Sequence, residues 1–197
     1  MKSNVWKKLA AGAAVVALVG VAHASKPMPK PGAPAALAKP AGGWVPPGTP
    51  GSPIDAGIFE AQVLLDVAGF PSGVIDGKKG MVFAKSLSGF QQAHNLPDTG
   101  KLDAATIQAL KAMNRPSTID VNLTPDQVAG PFVMPFPKKP EDQATLPFMG
   151  YRNMLEEVAE EFHTTPDTIV ALNGPDAKIG VGQMLKLPNV VAANQNY

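Results

Sequence analysis

The sequence contains no cysteine. That absence removes thiol nucleophiles, disulfide frameworks, thiolate zinc sites, iron–sulfur clusters and a lipid-modified N-terminal cysteine. Charge is also scarce, at 17% of residues against about 25% in an average globular chain. Lys and Arg number 17 and Asp and Glu 16, a net charge of +1. Three of the lysines, Lys2, Lys7 and Lys8, stand at the extreme N-terminus; without them 14 basic residues face 16 acidic ones, or −2. No basic footprint for nucleic acid is present, so nucleic acid is not an expected partner. The one long apolar run, Leu9 to Ala22, is shorter than the roughly 20 residues that span a bilayer.

Catalytic constellations are thin as well. Beyond His23 there are two histidines, His94 and His163, both at expected helix ends, where an imidazole interacts favourably with the helix dipole. No spacing suits a zinc site, which needs three protein ligands. No Gly-x-Ser-x-Gly elbow or Gly-Lys-Ser/Thr phosphate loop occurs. Glu156, Glu157, Glu160 and Glu161 form two i,i+4 like-charge pairs opposite an apolar stripe, as on a solvated helix face; a glycosidase pair would instead line a groove with one pKa raised. No cofactor, metal or enzymatic activity is expected.

The residues that are present divide the chain clearly. Lys7-Lys8, the apolar run and Ala22-His23-Ala24 read as an export signal cleaved after Ala24, placing a product without a membrane anchor in the periplasm. Residues 25–53 hold nine Pro and five Gly, the composition of an extended linker, in which Trp44 carries no assigned role. Residues 54–114 predict three helices. Asp55 caps the first, which presents Ile58, Ala61, Leu65 and Ala68 and stops at Gly69. The second runs from near Met81 with Phe83, Leu87 and Phe90 to His94-Asn95, and the third follows Asp103 with Ile107 and Leu110 inward. Residues 115–149 read as a Pro-rich connector with one turn at Thr124-Pro125-Asp126-Gln127. Residues 150–189 predict two further helices, around Leu155–Phe162 and from Thr165 to Asn173, then a short strand at Met184–Leu187. Residues 190–197 form a tail.

Two stretches carry family resemblances. Gln62-x-x-Leu65, Gly69-Phe70, Gly73, Ile75-Asp76-Gly77, Gly80, Leu87, Phe90-Gln91, Leu96, Gly100, Thr106 and Leu110 resemble the type-1, three-helix peptidoglycan-binding domain. One departure is Phe83, where that family usually has Thr. Leu155, Val158-Ala159, Phe162, Thr165, Leu172-Asn173, Gly182-Gln183 and Leu185-Lys186-Leu187-Pro188 are similar to a LysM module, a βααβ domain that binds N-acetylglucosamine. There Arg152-Asn153-Met154 replaces the usual Gly-Asp-Thr at the glycan groove. The order of segments, with Val128 to Phe132 and Tyr151-x-x-x-Leu155, resembles the non-catalytic N-terminal part of exported L,D-transpeptidases.

The expected fold is therefore mainly α, a three-helix bundle followed by a small βααβ LysM-like module. The resemblances imply an exported, non-catalytic peptidoglycan-binding protein. The alternatives are a split L,D-transpeptidase relative that supplies targeting to a separate cell-wall enzyme, and a periplasmic scaffold that docks a protein. Candidate peptidoglycan contacts are Gln62, Asp76 and Gln91 in the first module and Arg152, Asn153, Met154, Asn173 and Asp176 in the second. Asp76 has a second and favoured reading, closing its turn through side-chain hydrogen bonds. Two weak modules on a tether would bind one polymer through avidity, and a chain cut after Asn114 would keep the first module folded.

Overall fold

The structure, a computed structural model, describes residues 35–37 and 43–190. The export signal, part of the 25–53 linker and most of the C-terminal tail lie outside the described residues. In chain order the elements are β1 (Ala35–Ala36), α1 (Ala56–Val67), α2 (Met81–Ala93), α3 (Ala104–Lys111), β2 (Thr118–Asn122), a 3-10 turn (Asp126–Val128), α4 (Pro140–Gln143), α5 (Met154–Glu161), α6 (Pro166–Asn173), β3 (Lys178–Ile179) and β4 (Met184–Pro188). The protein is mainly helical with few, short strands.

The punctuation read from the sequence operates as expected. Asp55 accepts from the Ile58 amide at 3.0 Å, and Asp103 from the Thr106 amide at 2.9 Å. Thr165 likewise accepts from the Thr168 amide at 3.1 Å. Each side-chain oxygen satisfies an amide that the helix itself leaves unpaired. Asn95 ends α2 at φ 55°, and the Leu96 amide turns back to the Gln91 carbonyl. Phe83, the departure from the first resemblance, is buried among Leu87, Phe90 and Leu110 and so alters packing, not surface.

α1 buries more than the single face expected of it. Ile58, Ala61, Leu64 and Leu65 pack with α2 and α3. On another face Phe59 and Val63, with Ile54 and Ile75 beside them, enter a second cluster with Val158, Phe162, Ile169, Leu123, Leu185 and Leu187. Only Glu60 and Asp66 are charged in this 12-residue helix, and a helix apolar nearly all round belongs inside. The two sets of helices are therefore not independent beads on a tether. The Ile75 amide donates to the His163 carbonyl at 2.8 Å, and the Thr164 hydroxyl donates to the Ile75 carbonyl at 2.6 Å. His163, at φ 54°, also sets Nδ1 3.0 Å from Asp66 Oδ2. That contact joins α1 to the end of α5.

Two stretches read as linker hold structure. β2, inside the 115–149 connector, pairs antiparallel with β4 from Thr118↔Pro188 to Asn122↔Met184. Leu185 and Leu187 point inward and Lys186 outward, where its ammonium meets Asp120 at 2.9 Å. The strand partner of β4 thus comes from some 30 residues upstream of α5, with an irregular 123–153 excursion between. In the 25–53 stretch, β1 pairs with β3, Leu37 is buried, and the Trp44 indole donates to the Ala171 carbonyl at 2.9 Å. A Cβ at Gly174 would lie 3.2 Å from the Trp44 ring at φ 82°, so this glycine accommodates both the helix end and the indole.

Candidate functional site

A groove runs between α1 and α3. Gly57, Glu60, Ala61 and Leu64 form one wall; Leu102, Ile107, Leu110 and Lys111 form the other. A neighbouring hollow shares Glu60, Leu64 and Lys111 and is lined further by Asn114, Arg115 and Pro116. Another meets the groove at Gly57 and is lined by Thr49, Ser52, Asp55 and Gly77. The floor is apolar and the rim is charged. Lys111 Nζ and Glu60 Oε2 face each other at 3.6 Å, with both side chains well exposed, a pairing worth little and readily exchanged for a ligand. Arg115 is held more firmly, donating to the Asn189 carbonyl and to its Oδ1, both at 3.0 Å. Such a groove can lay an apolar strip against a sugar or peptide face and offer charges of both signs at its edges.

Two buried glutamines shape the turns of this unit. Gln62 Oε1 accepts from the Asp76 and Gly77 amides at 3.0 and 2.7 Å, and its Nε2 reaches the Lys78 carbonyl at 3.2 Å. Gln91 repeats the arrangement one helix later. Its Oε1 accepts from the Thr99 and Gly100 amides at 3.0 and 2.9 Å, and its Nε2 donates to the Lys101 carbonyl and the Thr106 hydroxyl. Gly77 sits at φ 71° with Ile54 Cγ2 2.7 Å from where a Cβ would be, so only glycine fits. A helix glutamine clamping a glycine turn thus occurs twice within 50 residues.

Residues 55–110 match the family "Putative peptidoglycan binding domain". The match covers the three-helix unit, which is similar to domains of that family. No curated protein matches the sequence.

The candidate contacts scatter. Gln62 and Gln91 are 2% and 0% exposed, and their amides are committed to backbone and side-chain partners within the unit. Asp76 accepts from the Lys78 amide at 2.9 Å, the turn-closing reading. In the second unit Asn153 is the N-cap of α5, accepting from the Glu156 amide at 3.0 Å, and Met154 packs on the shared core. Asn173 pins α6 to β4 by exchanging two hydrogen bonds with the Lys186 backbone, at 2.7 and 2.8 Å. Asp176 is exposed on the turn that follows Gly174. Arg152 is exposed and lies over the Phe136 ring at 4.9 Å. The structure does not bring these eight residues into one site.

Sequence reading missed the groove residues Gly57, Glu60, Lys111 and Arg115. Gly57 had a signal, being an exposed glycine inside an otherwise strong helical pattern, where glycine costs about 1 kcal/mol against alanine.

The acidic face of α5 also differs from the solvated one expected. Gln127 of the 3-10 turn donates to Glu161 at 3.0 Å, and Glu157 has one buried carboxylate oxygen without a partner among the described residues. Burial raises the Glu157 pKa above the usual glutamate value, opposed by the Gly130 amide and assisted by Glu161. Burial raises the Tyr151 phenol too, with Glu157 adding to the effect. A raised folded-state pKa stabilises the fold below the ordinary glutamate range, and that contribution disappears as pH climbs through the folded value. Glu157→Gln is therefore expected to raise the melting temperature at pH 7, by an amount that solvent screening of this part-exposed group keeps small. The gain should shrink as pH falls through the ordinary glutamate range and vanish below it, where the Glu157 carboxyl is protonated in the folded and the unfolded chain alike; a gain that persists there would mean packing, not charge, is responsible. Among the described residues, no group of three or more His, Asp or Glu is placed to hold a metal ion.

Proposed function

We propose that this is an exported, non-catalytic protein that holds peptidoglycan along the groove between α1 and α3. The observation that carries the reading is the coincidence of the family match over residues 55–110 with an apolar groove between two helices of the matched unit, rimmed by Glu60 of α1, by Lys111 at the end of α3 and by Arg115 just beyond it. Peptidoglycan offers both things the groove accommodates, the apolar faces of sugar rings and short peptides with free charges. The Lys7-Lys8, apolar-run and Ala22-His23-Ala24 pattern supports export to the periplasm. The lack of cysteine supports a binding role over transpeptidation through a thiol.

A LysM-like second unit is supported by β2 and β4 pairing around α5 and α6. Its sugar-binding role is less favoured, because Asn153 and Asn173 are engaged internally and Trp44 packs against Gly174. The α1–α3 groove is the better wall contact.

Gly57→Leu tests this. A Cβ at Gly57 meets nothing closer than Asp55 Oδ1 at 3.5 Å, and leucine favours helix over glycine by the better part of 1 kcal/mol. The variant should melt no lower than the parent while its side chain obstructs the groove. Co-sedimentation with purified sacculi is expected to fall about tenfold or more, the equivalent of ~1.4 kcal/mol. Undiminished sedimentation would remove the groove from the wall contact.

A further inference from the structure

The 123–153 excursion, which the family match does not cover, builds a small pocket of its own from Phe136, Pro137, Lys138, Gln143 and Arg152. The Arg152 guanidinium carbon lies 4.9 Å from the centre of the Phe136 ring, so the ring restrains the plane of the guanidinium. Its Nε faces Glu156 Oε1 at 3.8 Å. Neither terminal nitrogen has a hydrogen-bond partner among the described residues, leaving the two-pronged donor edge free. Lys138 has no ion-pair partner among the described residues either. Gln143 Nε2 donates to the Pro137 carbonyl at 2.8 Å, which ties α4 to the loop carrying Phe136 and Lys138. A pocket with two cations, one of them a restrained fork, matches the planar two-oxygen geometry of a carboxylate. Among the described residues the acid paired with Arg152 is Glu156, whose Oε1 faces Nε and whose Oε2 accepts from the Arg152 backbone amide.

We propose that this pocket binds a free carboxylate of a peptide, and, on the reading that the chain holds peptidoglycan, a carboxylate of its peptide stem. The protein would then contact the wall polymer at two places fixed relative to each other, with sugar and peptide at the α1–α3 groove and a peptide acid at Arg152.

The test uses the full chain and a soluble stem-peptide fragment, followed by amide chemical shifts in NMR titration. Shifts are expected at Phe136, Lys138, Gln143 and Arg152 with the free-acid peptide. They should weaken about tenfold when its carboxylates are amidated, or in Arg152→Gln and Lys138→Gln. Arg152→Lys should recover only part of the affinity, because it restores charge without the fork. Equal binding of the amidated peptide would overturn the proposal, as would an equal response to inorganic phosphate or shifts confined to the α1–α3 groove. Sacculus sedimentation separates this from the wider reading. Wall binding with no peptide response at this pocket sinks the pocket alone, whereas a peptide response here without wall binding sinks the groove reading and leaves the carboxylate site.

Discussion

Phe59→Ala is expected to lower the unfolding free energy by about 3–5 kcal/mol, a fall in melting temperature on the order of 10 °C for a chain of this length. Phe59 lies on α1, yet it is 3% exposed within the cluster that includes Val158, Phe162 and Ile169 of the second unit. Removing its ring opens a cavity between the two units rather than within the first. One cooperative melting transition is therefore expected in the parent, with the whole transition shifting in the variant. A chain ending at Asn114 would expose Ile54, Phe59, Val63 and Ile75 to water and lose the Ile75–His163 and Ile75–Thr164 hydrogen bonds. Such a fragment should be markedly less stable than the full chain, and Phe59→Ala should cost it much less. Two separate transitions, with only one moved by the substitution, would show that the shared core is not what joins the units.

That outcome bears on what was legible in the sequence. Helix starts and stops were readable because they are local: Asp55, Asp103 and Thr165 bond amides three residues away, and Gly69 and Asn95 take the left-handed φ that ends a helix. The double duty of α1 was only half written. Phe59, Val63 and Leu64 are as visible as Ile58 and Leu65, but a helix with two apolar faces reads the same as one with a single broad stripe until its partners are known. β2 was missed because Thr118–Asn122 is five residues long, follows a proline and has no local hairpin; its partner lies more than 60 residues away. Trp44 was missed for the same reason. Proline-rich composition describes how a segment behaves alone, and says nothing of an indole that donates to a carbonyl 127 residues on. The groove was illegible as a site because its defining residues, Gly57, Glu60, Lys111 and Arg115, come from separate elements and no single spacing links them.

Gln91→Leu is the sharpest test of the difference between a residue that shapes a binding domain and one that touches its ligand. Polar side chains in a wall-binding domain invite assignment as sugar contacts, and an amide has the right donors and acceptors for the task. Gln91 is fully buried, however, and each end of its amide is already committed: Oε1 to the Thr99 and Gly100 amides, Nε2 to the Lys101 carbonyl and the Thr106 hydroxyl. Leucine keeps much of the volume and removes all of these partners at once. Unpaired buried groups cost about 1–3 kcal/mol apiece, and water can reach Thr99 and Gly100 at the surface to offset part of this. The net loss is expected at about 2–4 kcal/mol, seen as a lower melting temperature. Sacculus binding measured well below that temperature should stay within about twofold of the parent, a change of ~0.4 kcal/mol, since the groove between α1 and α3 does not include this side chain. Gln62→Leu should behave in the same way, because its Oε1 clamps the Asp76 and Gly77 amides as Gln91 clamps Thr99 and Gly100. A variant of either glutamine that melts like the parent but no longer sediments with sacculi would reverse the assignment. The paired clamps also account for the wide spacing of the residues that carry the family likeness: a glutamine on one helix must face a glycine turn that enters the next, so the chain length between them is set by one helix end and one loop. Glycine is required at Gly77, where φ is 71° and a Cβ would meet Ile54 and the Asp55 backbone. Glu60 and Lys111, exposed at the rim of the α1–α3 groove, take no part in either clamp.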